Sequence, residues 1–186
     1  MYEQQFAVTG QLLGEGYEPE MFYAVEPSIQ MYIAEKSEAL RELYVSSYSY
    51  AATANYIHQM ATDKLVELFG AMHPQYTRQD FYELELATSG MVRSFMARKC
   101  DRNFTMEQKL RRFLSCSMTI YGVAEEKQQQ VIDRVLEMDL KSVADQLVAD
   151  AIHQADEQYQ EAERKGKAIE AARGGCLCVV RPGRGV

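Results

Sequence analysis

The chain has 186 residues, of which 47% are hydrophobic and 25% charged, with a formal net charge of −7. That length suits one domain of ordinary size, or a domain plus a tail, and it buries roughly two thirds of its unfolded surface, so folding needs neither a disulfide nor a metal. The composition is that of a soluble globular protein, and no apolar run approaches the roughly twenty residues of a membrane span, so no membrane partner is expected.

The charge is unevenly spread. Arg173, Arg181 and Arg184 fall in residues 173–186 without an acid, which leaves 17 basic against 27 acidic residues elsewhere, a balance of −10. Such a body repels a phosphate backbone, and no direct nucleic-acid binding by this chain is expected. Residues 93–112 run the other way, with Arg93, Arg98, Lys99, Arg102, Lys109, Arg111 and Arg112 against Asp101 and Glu107. A solvated helix face that offsets acidic neighbours explains them better than a nucleic-acid patch, because no Gly-rich or aromatic-interleaved pattern accompanies them. The start, MYEQQFAVTG, has no basic region followed by an apolar stretch. A cytoplasmic location is therefore expected.

The hydrophobic period is helical almost throughout, and the expected fold class is all-α. A first helix over about 2–13 stops at Gly14 and Gly16. Pro19 opens the next, whose stripe is Phe22, Val25, Ile29, Tyr32 and Ile33. Pro27 inside it gives no N–H to the carbonyl of Tyr23, so a kink or break is expected there, with room and a free carbonyl beside it. Ser37 starts a helix that carries Leu40, Leu43, Tyr44, Ser47 and Tyr48 on one face. A helix over 51–69 shows Ile57, Met60, Ala61, Leu65, Leu68 and Phe69, and Gly70 ends it. Thr77, with Asp80, caps a long helix to about Lys99 whose inner face is Phe81, Leu84, Thr88, Met91, Val92 and Phe95. Thr105 and Gln108 form a capping box for a helix through Tyr121. A final helical region from Glu125 bears Val131, Ile132, Val135, Leu136, Leu140, Val143, Ala144, Leu147, Val148, Ala151 and Ile152. Beyond about Asp156 the stripe fades into a solvated extension, and the tail, 174–186, is expected to be disordered or loosely attached.

No catalytic motif is visible: no G-x-S-x-G, H-E-x-x-H, P-loop or dinucleotide-binding glycine pattern. His58, His73 and His153 are far apart and read as surface or satisfied core residues, and Glu83 and Glu85 point to different helix faces. The cysteines (Cys100, Cys116, Cys176, Cys178) do not form a zinc pattern. No catalytic residue, metal or cofactor is expected, and the chain does not read as an enzyme. What remains is the content of 12 Tyr, 7 Phe and 10 Met. Core filling accounts for any single tyrosine, since roughly 150–250 Å² of burial outweighs an unpaired hydroxyl. As a group, Tyr32, Tyr48, Tyr56, Met60, Met91 and Phe95 lie on expected inner faces of four helices. Phenol tips and flexible thioethers there would suit a cavity for a mostly apolar ligand.

The runs SEALRELYVSSYS (37–49) and FYELELATSGMVRSFMARKCDRNFTMEQKLRRFL (81–114) resemble the C-terminal regulatory region of TetR-family transcription factors. The likeness covers about residues 2–155. It implies a helical domain of about six to seven helices that binds a small apolar or amphipathic effector among the helices at 20–35, 38–50, 51–69 and 77–99. It also implies pairing, as a homodimer or with an intact family member, through the last two long helices, which would form a four-helix bundle with the partner's pair. The residues expected on that surface are Leu110, Phe113, Leu114, Met118, Val131, Val135 and Leu147. The family's helix-turn-helix is absent, so the chain is expected to be either a truncated regulator or a working stand-alone effector domain.

The resulting expectation is residues 1–155 as an effector-binding and dimerisation domain and 156–186 as extension and tail. The alternative is a helical interaction module with a packed core and no ligand. A cavity of roughly 300 Å³ or more, lined by the named Tyr and Met residues, separates the two.

Overall fold

A computed structural model of the chain describes residues 2–176, with side chains from Gln5 to Lys165. Among these residues there are eight α-helices and no strand: α1 (Tyr2–Leu13), α2 (Pro19–Lys36), α3 (Glu38–Ser47), α4 (Ala51–Phe69), α5 (Arg78–Ala97), α6 (Met106–Ile120), α7 (Glu125–Glu137) and α8 (Leu140–Cys176). The protein is all-α. The eighth helix arises because the region after Glu125 divides at Met138 and Asp139. Asp139 caps the new helix by accepting from Ser142 N at 3.1 Å and from Ser142 Oγ at 2.7 Å. That cap was in the sequence, but with no Gly or Pro beside it the apolar stripe reads as continuous.

Helix starts elsewhere follow local side-chain chemistry. Ser37 Oγ accepts from Leu40 N at 3.2 Å. Thr77 and Asp80, and likewise Thr105 and Gln108, form reciprocal capping boxes. Each satisfies two backbone N–H groups that the first turn leaves without partners. α1 ends at Gly14 and Gly16, whose φ values of +76° and +73° lie in the left-handed region that favours glycine.

The compact unit up to Asp145 is organised around α2, which packs against α1, α3, α4, α5, α6 and α7. It is buried nearly all round: Met21, Phe22, Ala24, Val25, Ser28, Ile29, Gln30, Met31, Ile33 and Ala34 are all inside. The helix runs through Pro27 without a break. A one-sided stripe was expected, and the polar members Ser28 and Gln30 hid the other buried face. Ser28 resolves its burial by donating Oγ–H to the Ala24 carbonyl at 2.7 Å.

A buried lysine ties α2 to α6. Lys109 is fully covered, donating to Glu35 Oε1 at 2.7 Å and to the Arg98 carbonyl, with its ammonium 5.7 Å from the Phe104 ring centre. Burial pushes the Glu35 carboxyl up, but Lys109 and the Cys100 N–H outweigh it and hold the group below its ordinary value. The basic run at 93–112 is thus largely engaged within the chain: Arg98 pairs with Asp101, and Arg111 with both Glu107 and Asp133. Lys109 corrects the expectation of a wholly solvated face.

The residues expected at a dimer surface need a larger correction. Leu110, Phe113, Leu114, Met118 and Val131 are 0% exposed and Val135 is 1% exposed within the single chain. They face α2 and one another because α6 packs on α7, and both pack on α2. A fully covered side chain has no area left to give to a partner. Leu147 lies in the second unit, which begins at Gln146, earlier than the expected boundary, and it too is largely covered. That unit continues α8, with Ile152 and Tyr159 exposed. Residues 177–186 of the expected tail lie outside the described residues.

Phe113→Ala is expected to cost about 3–5 kcal/mol in chemical denaturation, a core-cavity effect. The loss should be the same across a hundredfold range of protein concentration, since the side chain is buried within its own chain. A loss that changes with dilution would place Phe113 at an interface instead.

Candidate functional site

A cavity of about 80 Å³ lies inside the first unit, beside Pro27. Its wall on α2 is Phe22, Tyr23, Glu26, Pro27 and Gln30; α4 adds Ile57, Ala61, Lys64, Leu65 and Leu68; α5 adds Glu85, Thr88, Ser89 and Val92. Phe6, Tyr48, Phe113 and Tyr121 close it. A cavity was expected among α2 to α5 beside the proline; the observed one lies beside Pro27 and draws on α2, α4 and α5, but no residue of α3 lines it and its volume is well below the roughly 300 Å³ expected.

The residues expected to line it do so only in part. Tyr48 does. Tyr32 is half-buried and borders a separate depression of about 440 Å³ with Glu35, Lys36, Cys100 and Lys141. Tyr56 is 50% exposed. Met60 and Met91 are half-buried away from the cavity, and Phe95 packs its ring against Phe113 at 5.7 Å and Phe104 at 6.3 Å. The reason is rotational. Tyr56 and Met60 each precede a lining residue, Ile57 and Ala61, and Met91 precedes Val92; one residue turns a side chain by about 100° round the helix. The true inner face of α5 includes Glu85, Thr88 and Ser89. The expected inner face included Thr88 but passed over Glu85 and Ser89.

The floor is aromatic and hydrogen-bonded. Tyr121 stacks on Phe69 at 5.1 Å, meets Tyr23 edge-on at 5.0 Å, and shares a 2.8 Å hydrogen bond with Thr88 Oγ1. The Tyr23 hydroxyl bonds to the Ser117 side chain, and burial holds the phenol well above its ordinary value. Thr88 also donates to carbonyls of its own helix, and Ser89 Oγ donates to the Leu86 carbonyl. Neither hydroxyl is paired with a base.

Two acids reach the cavity. Glu85 is 4% exposed and its Oε2 lies 2.6 Å from His58 Nδ1. Burial pushes the carboxyl up to about 8 and the imidazole down, so both groups resist charge. Glu26 accepts from Gln30 Nε2 at 2.5 Å, and burial pushes it up to about 7. It is partly exposed and is one of the residues that line the cavity. No Lys, Arg or His of the described residues forms an ion pair with it. Gln30, 2% exposed, leaves its Oε1 without a hydrogen-bond partner among the described residues.

Reading the sequence missed Glu26, Gln30, His58 and Glu85 as site residues. Nothing in their spacing groups them, because they come from three helices. The adjacency of Glu26 to the in-helix Pro27 was the one available signal. The other histidines have structural places: His73 Nε2 bonds the Tyr121 carbonyl at 2.8 Å and stacks on Tyr76, while His153 is exposed. Among the described residues, no group of three or more His, Cys, Asp or Glu could hold a metal ion, and no helix is long and apolar enough to cross a membrane. No family model, curated protein or solved structure matches the chain.

The raised acids set a pH dependence. Their folded-state values exceed the unfolded carboxylate value of 4.5, so the folded chain keeps protons that the unfolded chain releases. Stability from this source is complete below the unfolded value and is lost as pH rises through about 7 and about 8. The melting temperature is expected to fall between mildly acidic and alkaline pH. Glu26→Gln should remove on the order of 3 kcal/mol of that loss. A wild-type melting temperature that is flat over this range, or a fall that Glu26→Gln leaves intact, would contradict a buried, cation-free Glu26.

Proposed function

We propose that this chain is a small-molecule-binding helical domain, and that its setting is the one the resemblance implies, the effector-binding region of a TetR-like regulator. The observation that carries the proposal is the cavity beside Pro27, into which hydrogen-bonding groups of α2 and α5 are gathered with Gln30 Oε1 left unpaired. Leaving such a group buried and unpaired costs about 1–3 kcal/mol, which a ligand that reaches it recovers. The acidic balance away from 173–186 argues against a phosphate backbone as the partner. Pairing through α6 and α7 is not carried forward, because the side chains named for it are already inside the chain.

A volume of about 80 Å³ sets the ligand's size. Drug-sized ligands occupy roughly 300–1,000 Å³, so only a compound of a few heavy atoms fits this conformation. The same smallness favours the alternative, a helical interaction module with a packed core, as do the exposed Leu43, Tyr50, Tyr56 and Leu86.

Fragment screening by protein-observed NMR separates the two. Wild-type protein is expected to give hits whose shifts centre on α2, α4 and α5. Ala61→Leu, which fills the cavity from α4, is expected to abolish them while preserving the fold. Hits that persist in Ala61→Leu would move the site elsewhere. An absence of hits, with Ala61→Leu more stable than wild type, would establish the packed-core reading.

A further inference from the structure

We propose that the cavity beside Pro27 takes a small primary ammonium ion, which donates its hydrogen bonds to Gln30 Oε1, the Glu26 carboxyl and the Tyr23 carbonyl. This deepens the ligand-binding reading and rests on it.

The inference comes from counting donors and acceptors on one wall. Gln30 spends an amide N–H on Glu26 Oε1, and its own Oε1 is buried without a donor. Glu26 has its other oxygen, for which no hydrogen bond is found among the described residues. The Tyr23 carbonyl is aimed at residue 27 by helix geometry, and Pro27 has no N–H to give. This wall therefore offers acceptors in excess of donors. An alkylammonium group is the complement: three N–H donors and no acceptor. A carbonyl compound brings no donor, and a carboxylate would add a like charge beside Glu26. A hydroxyl brings one donor and leaves acceptors unpaired.

The surrounding rings support the sign of the charge. Phe22 and Phe6 line the same cavity, and Lys64 Nζ lies 4.9 Å and 6.0 Å from their centres. These faces already attract a cation. Lys64 itself is held by Glu67 Oε2 at 2.6 Å, leaving Glu26 without it. The volume limits the alkyl part: about 80 Å³ is about half of the roughly 150 Å³ that admits benzene.

The test uses the full chain at about pH 8, where a primary amine stays protonated, in about 0.15 M salt to screen surface charge. Propylammonium and its neutral counterpart 1-propanol are titrated separately and followed by amide shifts on α2. A ligand of so few atoms binds no tighter than about tens of micromolar, which suits NMR. The expected result is at least tenfold tighter binding of propylammonium, with the preference lost in Glu26→Gln and in Gln30→Leu. The wild-type comparison stands even if a variant fails to fold. Propanol binding as well as the amine would overturn the charge assignment while leaving a ligand cavity in place. A preference that survives in folded Glu26→Gln would overturn the assigned wall. Binding of neither probe would bring down both this inference and the ligand-binding reading.

Discussion

A helix packed upon by six others has to satisfy its buried polar groups from within, and α2 places Ser28 and Gln30 inside with Glu26 half-buried beside them. Desolvation of the half-buried Glu26 carboxylate makes the acid gain from holding its proton or from finding a cation. Pro27 sharpens the problem, because it removes the N–H that would have answered the Tyr23 carbonyl. Ser28 solves its own case by bonding back to Ala24. Glu26 and Gln30 solve only half of theirs by bonding to each other, and both residues line the cavity.

The packing around α2 follows from the same constraint. Its apolar surface draws in α6 and α7, whose Leu110, Leu114, Val131 and Val135 are buried within the chain, while Phe113 meets the Phe95 ring of α5. The fully buried Lys109 would be costly alone, but Glu35 and the Arg98 carbonyl answer its charge and its donors. Across the unit, buried ionisable groups thus fall into two kinds. Lys109 with Glu35 is paired and charged. Glu85 with His58, and Glu26 with Gln30, sit where burial disfavours charge.

Features governed by local chemistry were legible in the sequence. Ser37, Thr77 with Asp80, and Thr105 with Gln108 cap helices as their spacing indicates, because a cap involves only residues three apart. The stop at Gly14 and Gly16 is equally local. Features that depend on how helices rotate against one another were not. Tyr56, Met60 and Met91 sit about one residue, or roughly 100°, away from the inner face. Phe95 is spent on Phe113 and Phe104. Apart from Thr88, the site's polar residues fall outside any apolar stripe, and the greasy late helices looked unpartnered because a stripe does not say which chain covers it.

The most direct measurement is a carbon-13 NMR titration of the Glu26 side-chain carboxyl in the full chain. Burial beside Pro27, with no ion pair to Glu26 among the described residues, predicts a midpoint of about 7. A midpoint at the ordinary glutamate value of about 4.3 would show that the carboxyl is solvated or paired, and would contradict the arrangement on which the proposed site depends.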